Sequence, residues 1–76
     1  MSKLPILKHR KLIRALNSLG FVEVRQKGSH RFFLNAESNL TTVVPIHAGD
    51  IGRGLLRKIL NEIKISPEEF IKLLKK

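Results

Sequence analysis

The segment Arg25–Phe33 restricts the fold more than any other part of the chain, because it places a glycine turn between two short apolar runs. These runs, Phe21–Gln26 and Arg31–Leu34, are rich in aromatic or β-branched residues, which is typical of strands. Gly28 can adopt the backbone conformations that a tight turn requires and that other residues avoid. The segment therefore predicts a β-hairpin.

A third strand is predicted at Thr41–Ile46, after a polar loop at Asn35–Asn39. Pro45 cannot donate a hydrogen bond to a neighbouring strand, so we expect it near the strand end or at the edge of the sheet. The short connections between the three strands favour an antiparallel meander.

Side chains alternate between the two faces of a strand, which divides the second predicted strand into two sets. His30, Phe32 and Leu34 share one face. Arg31 and Phe33 share the other. The sequence leaves open which face the helices cover.

Three helices complete the predicted fold. The first spans residues 9–19 and ends at Gly20. The second spans residues 52–63. Both have apolar residues at helical spacing. A turn is predicted before the second helix, at His47–Asp50. The third helix begins at Ser66–Glu69, a capping box with proline at the first helical position.

The resulting order, α-β-β-β-α-α, predicts a single α+β domain over residues 1–76, with a three-stranded antiparallel sheet and helices on one face. Domains that bind double-stranded RNA have the same α-β-β-β-α order. This likeness concerns the fold, which does not by itself determine function.

The charge of the chain favours nucleic acid as a ligand. Fifteen Lys and Arg against six Asp and Glu give a net charge of +9, and the isoelectric point is about 10.8. The excess is largest in residues 1–36, which hold eight of the cations and one acid, Glu23. So basic a domain is typical of nucleic-acid-binding proteins, although solubility or an acidic protein partner would also account for it.

Composition also indicates where the protein works. The sequence has no cysteine, no apolar run long enough to cross a membrane and no signal-peptide pattern at its start. We therefore expect a cytoplasmic protein without membrane contact. Separately, we expect the protein to be monomeric when it is free of partners.

The residues around the hairpin turn have the chemistry of a phosphate-handling site. Gly28 lets a ligand approach the backbone, and Ser29 can donate or accept a hydrogen bond. Lys27 and Arg31 can hold an anion. His30 is the side chain best suited to exchange a proton near neutral pH. The simpler interpretation is a polar turn with an exposed histidine.

Motifs of several other catalytic sites are absent from the sequence. The histidines at positions 9, 30 and 47 lack the spacing of a helical zinc pair, and the acidic residues are too scattered for a magnesium site. There is no P-loop. These observations predict acid–base chemistry at His30 without a metal or cofactor, and His47 is a candidate second acid–base group if the fold brings it near.

RNA suits such a site, because its ribose 2′-hydroxyl is a nucleophile within the substrate. A base removes the hydroxyl proton, the oxygen attacks the adjacent phosphate, and an acid protonates the leaving 5′-oxygen. His30 could be the base or the acid. Four cations are candidates for holding the phosphate: Lys27, Arg31, Arg53 and Arg57.

Short motifs occur in a characteristic order along nearly the whole chain. The most specific is Val24–His30, which ends in Gly-Ser-His. The others are Leu4-Pro5, Ala15-Leu16, Leu19–Phe21, Phe33, Thr42–Pro45, His47, Leu55–Leu60 and Ser66–Phe70. With these motifs the chain resembles the HicA mRNA interferase toxins of bacterial and archaeal toxin–antitoxin pairs.

The resemblance implies a fold like that of double-stranded-RNA-binding domains, ribosome-independent cleavage of mRNA, and neutralisation by a cognate HicB-like antitoxin. It also implies that His30, which closes Gly-Ser-His, is the catalytic residue. The chain departs from the family at Arg31, where a second histidine is frequent, and at Lys8, where a small helix-capping residue is frequent.

The sequence thus predicts the toxin of a type II toxin–antitoxin pair, a metal-independent endoribonuclease. Residues around the turn and on the second helix are predicted to bind RNA: Lys27, Gly28, Ser29, Arg31, Arg53 and Arg57. Two other functions remain compatible with the sequence. One is a non-catalytic RNA-binding module, whose RNA affinity would fall with salt. The other is a small basic protein whose ligand is an acidic protein.

Overall fold

The computed structural model describes residues 4–46 and 50–75. Within these residues the chain forms five strands and three helices: β1 (Leu7–Lys8), α1 (His9–Ser18), β2 (Val22–Lys27), β3 (His30–Asn35), β4 (Leu40–Pro45), β5 (Asp50–Ile51), α2 (Arg53–Ile63) and α3 (Pro67–Leu74). Strands β2, β3 and β4 form an antiparallel sheet in that order. The predicted α+β fold with the order α-β-β-β-α-α is confirmed.

Helix α1 ends at the predicted glycine. Gly20 has a φ of +96°, and its N–H donates to the carbonyl of Asn17 at 3.1 Å. The N–H of Phe21 donates to the carbonyl of Leu16 at 2.9 Å. These two bonds form a Schellman motif, which satisfies the last carbonyls of the helix and directs the chain into β2.

Helix α3 begins with the predicted capping box. Ser66 Oγ accepts from the N–H of Glu69 at 3.1 Å, and Glu69 Oε1 accepts from the N–H of Ser66 at 3.3 Å. Of the two apolar residues that flank this cap, Phe70 belongs to the core and Ile65 packs against it. The cap therefore sets the angle at which α3 joins the rest of the fold.

The core lies between the three-stranded sheet and the helices. Both layers contribute fully buried side chains, among them Phe33 and Val44 from the sheet and Leu16, Leu56 and Phe70 from the helices. Burial of each such side chain stabilises the fold by about 1.5–3 kcal/mol. The face of β3 that carries Phe33 is therefore the covered one, which settles the question that the sequence left open.

Strands β1 and β5 form a separate two-stranded sheet that the sequence did not predict. The turn predicted at His47–Asp50 is wrong for Asp50, which belongs to β5, while residues 47–49 lie outside the described residues. The pairing forms because Leu7 and Ile51 are partners in register and both are buried. The ion pair between Lys8 Nζ and Asp50 Oδ1, at 3.1 Å, is exposed and contributes little. None of the described helices is long and apolar enough to cross a membrane.

Candidate functional site

The β2–β3 hairpin places the predicted catalytic histidine at its tip. Lys27 is the last residue of β2, His30 is the first residue of β3, and the two are partners in register. Gly28 holds the first position of the intervening turn with a φ of +59°, as expected for a type II′ hairpin turn. Apart from Gly28 and its two chain neighbours, no described residue has an atom within 4 Å of the position that a Cβ on Gly28 would occupy, so a ligand can approach this backbone closely.

Hydrogen bonds from two sides hold the turn. The side chain of Gln26 donates from Nε2 to the carbonyl oxygen of Gly28 at 3.2 Å. The N–H of Ile46, just after β4, donates to the carbonyl oxygen of Ser29. Ser29 is itself half-buried. The turn is therefore fixed to its own strand and to the third strand, and it can present neighbouring groups in a constant geometry.

His30 lies on the sheet face that the helices leave uncovered. The register places three rows of partners across this face, which we call the open face: Lys27–His30–Pro45, Arg25–Phe32–Val43 and Val22–Leu34–Thr41. His30, Lys27 and Arg25 are exposed. The residues of the other face, by contrast, include the fully buried Phe33 and Val44.

The open face combines positive charge with apolar surface. Within the described strands β2, β3 and β4, it carries Arg25, Lys27 and His30 and no carboxylate. The guanidinium carbon of Arg25 lies 5.0 Å from the centroid of the Phe32 ring, a cation–π contact. Val22 is 56% exposed. Such a surface attracts phosphate and can also contact the faces of bases.

Arg31 does not share this face with His30. Its side chain lies on the side covered by the helices, where Nη1 is 3.7 Å from Glu23 Oε1. Its Nε is buried and finds no hydrogen-bond acceptor among residues 4–46 and 50–75. The hairpin thus brings together Lys27, Gly28, Ser29 and His30, but it separates Arg31 from them.

Arg53 and Arg57 lie one turn apart on α2, in the helix layer. Arg53 Nε donates to the carbonyl oxygen of Leu4 at 2.7 Å, so this side chain holds the start of the described chain. Thr42 Oγ1, on β4, donates to Glu62 Oε1 at 2.7 Å, which places the last turn of α2 beside the start of β4. His47, the candidate second acid–base group, lies outside the described residues.

Sequence reasoning did not select Arg25 and Phe32 as site residues, although the structure places both on the open face. Strand alternation puts Phe32 on the same face as His30, and this pattern could have identified it. Alternation along β2 likewise puts Arg25 on the face of Lys27, because the β-bulge lies between Glu23 and Arg25 and changes the face of Glu23 instead.

A concave surface lies between α1 and α3, away from the open face. It has a volume of about 250 Å³ and is lined by Lys11, Arg14, Ala15, Ser18, Leu73 and Leu74. None of the predicted site residues contributes to it. Within the part of the chain that the structure describes, no three His, Cys, Asp or Glu residues are grouped as metal ligands would be.

Comparison with known proteins identifies one family. A family model described as the HicA toxin of bacterial toxin–antitoxin systems matches residues 9–65. The matched range contains the whole sheet β2–β4, the hairpin turn and helices α1 and α2. No curated protein shows significant similarity to the chain.

Proposed function

Since the chain belongs to the HicA family of toxins from bacterial toxin–antitoxin systems, we propose that it is a metal-independent endoribonuclease that cleaves mRNA, with His30 as its general acid–base group. The family is one of RNase toxins. The observation that supports the residue assignment is the position of His30, beside Lys27 at the tip of a fixed hairpin on the open face.

The proposed reaction uses the substrate's own nucleophile. A base takes the proton of a ribose 2′-hydroxyl, and the oxygen forms a bond to the adjacent phosphorus. The bond from phosphorus to the 5′-oxygen breaks, and an acid protonates that oxygen. The products are a 2′,3′-cyclic phosphate and a 5′-hydroxyl. His30 performs one of the two proton transfers, and the Lys27 ammonium stabilises the charge on the phosphate.

The turn residues contribute through their backbone and hydroxyl group. Gly28 lets a phosphate come close to the chain, and Ser29 offers a hydroxyl. Arg53 and Arg57 lie on α2, in the helix layer and outside the open face, and would bind other phosphates of the same RNA. Arg31 would bind RNA only by exchanging Glu23 for a phosphate, since the two side chains are now paired.

The protein is the toxin of a toxin–antitoxin system, so it has an antitoxin partner. We propose that this antitoxin is HicB-like and that it neutralises the toxin by covering the open face. The charges of Arg25 and Lys27 would then favour acidic residues on the partner.

The chemistry of the cleaved ends tests this proposal. RNA should be cut by the purified protein to 2′,3′-cyclic phosphate and 5′-hydroxyl ends, and a single 2′-deoxy substitution at the cleaved nucleotide should stop cleavage there. Cleavage that tolerates the 2′-deoxy substitution would exclude the proposed nucleophile. Salt-dependent RNA binding without any cleavage would instead favour a non-catalytic binding module.

A further inference from the structure

We infer that the Arg25–Phe32 pair is a stacking platform, which holds one unpaired base of the RNA next to His30. The inference rests on the proposed function in taking RNA as the ligand. It adds that the RNA is single-stranded where it is cut and that the protein has a binding site for one unpaired base.

The geometry of β3 places the platform one step from the histidine. Phe32 is two residues after His30, so both side chains leave the strand on the open face, about 6–7 Å apart along it. This distance is comparable to the step between neighbouring nucleotides in an extended single strand. A base stacked at Phe32 would therefore bring its own or the adjacent phosphate to Lys27 and His30.

The chemistry of the pair also suits a base. The Arg25 guanidinium lies over the Phe32 ring at 5.0 Å, so the two groups present a planar cation next to an aromatic ring. Unpaired bases stack on aromatic side chains and on guanidinium planes in RNA-binding proteins. The charge of Arg25 additionally favours the phosphates that accompany the base.

The apolar part of the open face argues for a single strand rather than a duplex. Phe32, Val43 and Leu34 are partly exposed on it, and Val22 is 56% exposed. Double-stranded RNA presents phosphates and 2′-hydroxyls to a protein and keeps its base faces stacked inside. Only an unpaired strand can place a base face against this surface.

Binding of RNA that cannot be cleaved tests the inference. The probes are a short 2′-O-methylated single strand with one 2-aminopurine and the same strand annealed to its complement. Phe32→Leu removes the ring and keeps apolar volume, and Arg25→Lys removes the plane and keeps the charge. Val22→Ala is the control, because it shortens an apolar side chain on the same face outside the platform. Thermal unfolding confirms that each variant is folded.

Phe32→Leu is expected to weaken binding of the single strand by about 5- to 150-fold, the effect of losing one stacked base. Arg25→Lys should also weaken binding of the single strand. Both variants should bind the duplex almost as the wild type does, and Val22→Ala should bind the single strand almost as the wild type does. Quenching of 2-aminopurine by the wild-type protein should disappear in Phe32→Leu. If Phe32→Leu does not fold, Arg25→Lys alone decides the question.

Equal losses for single strand and duplex would overturn the inference, because the residues would then act through charge or stability. Unchanged binding of the single strand by Phe32→Leu and Arg25→Lys would also overturn the inference. The result is independent of catalysis. If the single strand stacks on Phe32 but ordinary RNA is not cleaved, only the proposed function is overturned. If ordinary RNA is cleaved but Phe32→Leu does not weaken binding, only the stacking platform is overturned.

Discussion

Lys27 and His30 face each other as the last pair of the β2–β3 hairpin, with both side chains on the open face of the sheet. Directly opposed residues of an antiparallel pair have Cβ atoms about 4.5–5.5 Å apart. A phosphate held by the ammonium of Lys27 therefore lies within reach of the imidazole. This pairing gives one small hairpin both an anion-binding group and a proton-transfer group.

The first prediction concerns the charge of Lys27. Lys27→Gln should weaken RNA binding and lower the slope of log affinity against log salt by about 0.7, the value for one lost phosphate contact on a single strand. The slope is measured from binding titrations at several salt concentrations. Lys72→Gln removes an equal charge from an exposed position on α3 and is the control. The same slope change in both variants would show that RNA does not prefer the open face.

The second prediction concerns the backbone of the turn. Gly28→Ala should lower the free energy of unfolding by about 1 kcal/mol, because a side chain disfavours its φ of +59°. Gly54→Ala, at an open helical position in α2, should instead raise it by about 0.4–1 kcal/mol. Chemical denaturation measures both values. If Gly28→Ala and Gly54→Ala changed the free energy of unfolding equally, the left-handed conformation of Gly28 would be contradicted.

The third prediction concerns the end of α2. Lys64 has a φ of 60°, and the N–H of the next residue, Ile65, donates to the carbonyl of Leu60 at 3.1 Å, as in a Schellman motif. Lys64→Gly should therefore stabilise the protein by about 1 kcal/mol, since glycine adopts this conformation without strain. Lys58→Gly, inside the same helix, should destabilise it by about 1 kcal/mol. A loss of stability in both variants would contradict the left-handed assignment at Lys64.

The fourth prediction distinguishes Arg53 from Arg57, both of which the sequence analysis predicts to bind RNA. Arg53→Ala removes the hydrogen bond to the Leu4 carbonyl and should cost about 1 kcal/mol of stability. Arg57→Ala, at an exposed position one turn later, should change stability by less than about 0.5 kcal/mol. If both bind RNA, the two variants should lose affinity to a similar degree. Equal stability of the two variants would show that Arg53 does not hold the N-terminal segment.

Most of the fold could be predicted from local patterns. The apolar spacing of α1, the glycine after it and the capping box before α3 each reflect interactions within a few residues of sequence, and each is confirmed. Strand β5 could not be predicted, because Asp50 and Ile51 form it only through pairing with Lys8 and Leu7, which are distant in sequence.

In the site, too, local patterns could be predicted from the sequence and long-range packing could not. Alternation correctly separated His30 from Arg31, but the covered face depends on Phe33 and Val44 packing against the helices. Strict alternation along β2 would place Glu23 on the face of Lys27. The bulge between Glu23 and Arg25 moves this carboxylate to the covered side, where it meets Arg31, and leaves the open face basic. No local pattern in the sequence marks that bulge.

RNA cleavage by the purified protein in excess EDTA, compared with a folded His30→Ala variant, tests the central claim most directly. The wild-type protein should cut RNA with the metal chelated, and His30→Ala should be slower by about 10²–10⁴-fold, the usual contribution of a general acid or base. Loss of wild-type activity in EDTA would contradict the metal-independent mechanism. Equal cleavage by the two proteins would show that His30 is not the catalytic group.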